Sequence, residues 1–160
     1  MSLGLDEEKA KELDAEREVD AHYKKARLIW LALLATLVVM FVVTRLVEPG
    51  NEFPPQVFWI LLALGVVTLG ASFVLKHRML KTAAEQRKPQ MVFGAYITAL
   101  ALCEASGQFG LFAHFATGVK YYYFLFVLAG FGMMLHKPQR ADVLAAVSGP
   151  GGLWEAKKQG

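Results

Sequence analysis

The chain has 160 residues, 55% of them apolar, with 17 basic and 14 acidic side chains and a net charge of +3. That length suits one compact unit, and the apolar share exceeds the roughly 45–50% of a soluble domain. A single cysteine, Cys103, excludes an internal disulfide and a cysteine-only metal cluster. The modest charge, without interleaved basic and aromatic residues, carries no nucleic-acid signature.

The charges fall in blocks, and the stretches between them are apolar all round rather than along one stripe. Such stretches call for lipid as their solvent. Residues 1–27 form a charged arm that reads as an exposed cytoplasmic helix, with Asp6 as a cap and Glu7–Lys11 and Asp20–Lys24 at i,i+4 spacing. Two readings stand for it: a solvated extension of the first span, or a docking helix for a cytoplasmic partner. It does not read as a cleavable signal.

The region 28–136 divides into four predicted spans. The first, 28–47, holds twenty residues with one charge, about 30 Å of helix at 1.5 Å per residue, which matches a hydrocarbon core. The second, 57–75, follows Pro54-Pro55 and precedes Lys76-His77-Arg78. The helix-forming run after it suggests that this helix projects into the cytoplasm before turning back. The third, 91–117, starts just after Pro89, a residue suited to a helix start. The fourth, 119–136, is short and crosses only by borrowing flanking residues or thinning the bilayer. Lipid offers no partner to a free backbone group, so each crossing is helical. The tail, 137–160, holds a short helical stretch from Ala141 to Val147. The Gly-Pro linker beyond it and the segment around Trp154 read as mobile.

Fifteen Lys or Arg lie in the arm, the middle loop and the tail, against Arg45 and Lys120 on the other side. The excess places both ends in the cytoplasm. Trp30, Trp59 and Tyr121-Tyr122-Tyr123 lie near span ends, as interfacial belts or as packing residues. The expected fold is therefore an all-α transmembrane bundle of four helices, N-in and C-in.

Within the third span sits Glu104. A carboxylate at that depth costs on the order of 2.5 kcal/mol or more, so it faces protein or water, or it is neutral. Gln108 lies at i+4 on the same face, with Ile97, Leu100, Leu111 and Phe115. Beside that face runs a row of small residues: Ala95, Ala99, Cys103, Ser106 or Gly107, Gly110 and Ala113. Such a row lets another helix approach closely. Gly65, Thr68 and Ser72 of the second span form a matching face, and Thr68 or Ser72 is a candidate hydrogen-bond partner for Glu104. Glu104 and Gln108 are thus the candidate ion or proton site. The competing reading is a structural carboxyl that locks helix packing.

The run Ala101-Leu102-Cys103-Glu104-Ala105, followed by Gly110-Leu111, resembles the carboxylate helix of the rotary ATP synthase c subunit. That resemblance implies a reversible proton or sodium site at Glu104. The chain as a whole is similar to small bacterial four-span membrane proteins, which implies a place in the bacterial inner (cytoplasmic) membrane and no activity.

His77 and His136 fall at the cytoplasmic ends of spans two and four. At matching depth they are candidate ligands for a haem or a chlorin; the alternative is a pair of ordinary interface histidines. His114, in the outer part of span three, is placed to meet the tyrosines there. Cys103 sits in an apolar setting where a thiol is inert. The sequence holds no Ser-His-Asp set, phosphate loop or metal-ligand cluster, so no enzymatic activity and no metal are expected. The expected role is a non-enzymatic accessory or structural subunit of a larger membrane complex, with lipid and other membrane subunits as partners. The alternatives are a proton- or cation-coupling component using Glu104 and a cofactor-bearing electron-transfer subunit.

Overall fold

A computed structural model describes residues 3–50 and 52–148. Among them the chain is all-α, with no strand. Helix α1 spans Leu3–Leu46, 44 residues without a break. Its first half is rich in Ala, Leu, Glu and Lys, all strong helix formers. Its second half is apolar and free of Gly and Pro, and Pro49-Gly50 lies beyond its end. The following loop folds back onto the third helix, where the N–H of Phe53 donates to the carbonyl of Ala116 at 2.9 Å.

Helix α2, Gln56–Gln86, begins directly after Pro54-Pro55 and continues well past residue 75, as the helix-forming run predicts. Arg87 ends it in a left-handed conformation (φ 51°), and its N–H caps the carbonyls of Ala83 and Ala84. Helix α3, Pro89–Thr117, starts with proline in its first turn and ends at Gly118 (φ 61°). A 3₁₀ turn, Lys120–Tyr122, leads into α4, Tyr123–Leu135. Helix α5, Arg140–Ser148, covers the helical stretch expected in the tail. The linker and Trp154 lie outside the described residues.

Helix α3 is central and packs against α1, α2 and α4. Its small residues Ala95, Ala99, Cys103, Ser106, Gly107, Gly110 and Ala113 are all buried. The approach is close enough that a Cβ on Gly107 would lie 2.3 Å from Leu37 Cδ1 of α1. Two apolar clusters result. The larger joins α1 to α4 through Leu37, Leu61, Leu100, Leu125, Phe126 and Met133. The smaller joins Val19 of α1, Ala83 of α2, Val92 and Tyr96 of α3, and Val143 and Ala146 of α5. The lower part of α1 is therefore not simply solvated: Val19 is buried, and Asp20 pairs with Arg140 at 3.1 Å.

Two stretches, Val19–Leu46 of α1 and Gln56–Gln86 of α2, are long and apolar enough to cross a membrane. Their most apolar windows are only 11% and 22% buried, whereas a soluble core helix of that hydropathy would be enclosed. The 3₁₀ turn and α4 together make a shorter apolar helix. Helix α3 is long enough but more polar, because Glu104, Ser106, Gln108 and three glycines interrupt it. Of the aromatic residues near the ends of the predicted spans, Trp59, Tyr121 and Tyr123 are exposed. Trp30 and Tyr122 turn inward, and the Trp30 indole donates to the Met133 carbonyl at 2.7 Å.

Candidate functional site

The interface of α2, α3 and α4 carries a chain of polar groups inside an apolar bundle. Ser72, Cys103, Ser106 and His136 are fully buried. Ser106 donates to the Gly65 carbonyl at 2.9 Å and lies 3.0 Å from Thr68 Oγ1, which also reaches that carbonyl. One helical turn along α2, Ser72 donates to the Leu69 carbonyl at 2.6 Å. Ser72 Oγ also lies 3.0 Å from His136 Nε2, a hydrogen bond whose direction follows the ring tautomer. The Cys103 thiol points at the same oxygen from 3.7 Å. The other ring nitrogen of His136, Nδ1, is buried with no hydrogen-bond partner among the described residues. The ring also meets Phe73 edge-on, with centroids 4.3 Å apart.

These contacts redirect an expectation. Thr68 and Ser72, the partners that the sequence offers to Glu104, pair instead with Ser106 and His136. The physical reason is one residue of helix, which turns a side chain by about 100°. Cys103 and Ser106 point into the α2 interface, and Glu104 points round toward the outside. Glu104 is half-buried and Gln108 is exposed. Among the described residues neither forms a hydrogen bond or ion pair. They share their flank of α3 with Ile97 and Ala101, both exposed. The structure thus keeps Glu104 and Gln108 on one face without bonding them to each other.

The two candidate haem or chlorin ligands are not brought to a common face. His77 is exposed on α2, whereas His136 is enclosed with Nε2 committed to Ser72. His114 does meet a tyrosine: its ring lies 4.6 Å from that of Tyr122, and its Nε2 lies 3.0 Å from the Val47 carbonyl, tying α3 to the end of α1. Thr44 of α1 closes this corner, 3.3 Å from the Tyr122 hydroxyl.

A polar cluster at the opposite end escaped sequence reasoning. Tyr96 of α3 donates to Asp142 of α5 and accepts from the N–H of Gln139 at 3.0 Å. The ammonium of Lys76 sits 4.3 Å from the centre of the Tyr96 ring. The only signal in the chain was an acidic residue in the first turn of the tail helix. Among the described residues no group of three or more His, Cys, Asp or Glu stands ready to hold a metal. No protein-family model, curated protein or solved structure matches this chain.

Proposed function

We propose that the protein is a non-enzymatic subunit of a larger membrane complex, built as a four-span bundle with both ends in the cytoplasm. The observation that carries this reading is the outward placement of Glu104 and Gln108. They stand about midway along α3, on a bundle whose exposed side chains include Val38, Val39, Trp59, Ile60, Val67, Val127 and Phe131. A carboxyl and an amide turned toward hydrocarbon are costly, and another protein surface relieves that cost. The exposed apolar belt, the buried seam of small and hydroxyl residues and the one-sided loop charges support the membrane setting.

The test is native mass measurement of the protein in lipid nanodiscs formed directly from membranes. An assembly well above the 17.7 kDa chain is expected; a bare monomer overturns the reading.

A second reading, proton or cation coupling at Glu104, is favoured by the same carboxyl being reachable from outside the bundle. A hydrophobic carbodiimide should then modify Glu104 in membranes, and more slowly at high pH, where less of the carboxyl is protonated. Absence of modification removes this reading and leaves the first untouched.

A further inference from the structure

Resting on the membrane setting of the proposed function, though not on a partner subunit, we infer that the crevice between α1 and α4 binds one phospholipid with a net-negative headgroup. Its phosphate sits at Arg45 and Lys120, and an acyl chain runs along Leu37, Val38 and Phe41. Arg45 and Lys120 are the only Lys or Arg in residues 28–75 and 91–136, and both line a single cavity of about 390 Å³. Its lining includes three buried polar side chains, Thr44, His114 and Tyr122. The hydroxyls of Thr44 and Tyr122 lie 3.3 Å apart. Glu48 lines the cavity too, but among the described residues it pairs with neither basic group. A guanidinium and an ammonium facing one space suit the oxygens of a phosphate.

Below this cavity lies an apolar groove of about 330 Å³, walled by Leu37, Val38 and Phe41 of α1 and by Tyr123, Phe126 and Val127 of α4. Leu37, Val38, Phe41, Thr44 and Arg45 recur at helical spacing on one face of α1. The groove and the polar cavity are therefore stacked along the same crevice, and Leu37 to Arg45 spans about 12 Å. On the opposite wall, the order from Val127 to Lys120 likewise runs from apolar to tyrosine to cation. The edge-on contact of Phe41 with Phe126, centroids 5.5 Å apart, joins the two walls. A free anion would leave the groove unused, and a hydrocarbon would leave the cations unused; a phospholipid uses both. The cations outnumber the carboxylate of Glu48 by one. A headgroup of one negative charge neutralises that excess, whereas phosphatidylethanolamine, neutral overall, leaves it standing.

The test is native mass spectrometry of the full chain, released from detergent after incubation with equal amounts of phosphatidylglycerol and phosphatidylethanolamine. One bound lipid is expected, with phosphatidylglycerol favoured about fivefold, the worth of one net charge near the headgroups. Arg45→Gln/Lys120→Gln should abolish that preference. Arg78→Gln/Lys81→Gln, which removes two exposed charges at the other end of the bundle, should keep it. Val38→Trp, which fills the groove from an exposed position, should weaken retention of both lipids severalfold without changing their ratio. All these side chains are at the surface, so unchanged helical circular dichroism is expected in every variant. Equal retention of the two lipids by the native chain, an undiminished preference in Arg45→Gln/Lys120→Gln, or unchanged retention in Val38→Trp overturns the site. Displacement of the lipid by an equal concentration of inorganic phosphate also overturns it, in favour of a free anion. None of these results touches the complex-subunit reading, which stands or falls on the mass of the assembly in native nanodiscs.

Discussion

Gly132 has no side chain because α3 and α2 leave no room for one. A Cβ there would lie 2.4 Å from Leu69 Cδ1 and 2.9 Å from Cys103 Sγ. Gly132→Ala should therefore destabilise the bundle by about 1–3 kcal/mol, read as a lower midpoint of thermal unfolding in detergent. Gly70, with nothing near its Cβ direction, should tolerate alanine without loss. Ser72→Ala should cost about 1–3 kcal/mol by leaving the buried Nε2 of His136 without its hydrogen-bond partner. Thr36→Ala, which removes only an exposed bond to the Ala32 carbonyl, is the control and should shift the midpoint little. The residues of this seam were legible in the sequence as small and hydroxyl types at helical spacing. Their pairing was not. Choosing Ser106 over Glu104 as the neighbour of Thr68 depends on the rotation of α3 about its axis. Apolar periodicity leaves that rotation open when nearly every position of the helix is apolar.

Helix α5 is short, yet it is held by Val143 and Ala146 in the smaller apolar cluster and by the Tyr96–Asp142 bond. Tyr96→Phe removes that bond and the acceptor of the Gln139 N–H, and should loosen the helix by about 1 kcal/mol. The expected result is severalfold faster tryptic cleavage at Arg140; Val143→Asp, which buries a charge in the cluster, should accelerate it further. If both variants are cut at the native rate, α5 does not depend on this docking. The helix itself was legible from local sequence, and so was the run of α2 beyond Leu75, because Ala, Leu, Lys and Glu favour a helix wherever they stand. The docking was hidden because Val19 and Val143 are distant in sequence, and neither carries a local sign of the other.

The proposed orientation, which puts fifteen basic residues on one side of the membrane and two on the other, predicts where labels reach the chain. With Cys103→Ser as background, Lys120→Cys should react with an impermeant maleimide in sealed cells. Lys81→Cys should react only after permeabilisation; equal labelling of both in sealed cells would overturn the orientation.

The unbroken length of α1 has a mechanical consequence. Helix α5 meets it at Val19 and Asp20, and that contact serves as a fulcrum. Residues 3–18 of the helix extend about 24 Å past this support, so a 10° swing displaces the tip by roughly 4 Å. With no proline or glycine between Val19 and Leu46 to act as a hinge, a sideways load on the tip becomes torque on the whole rod. That torque is met further along the rod, where the Trp30 indole is bonded to the Met133 carbonyl and Leu37 sits against Gly107.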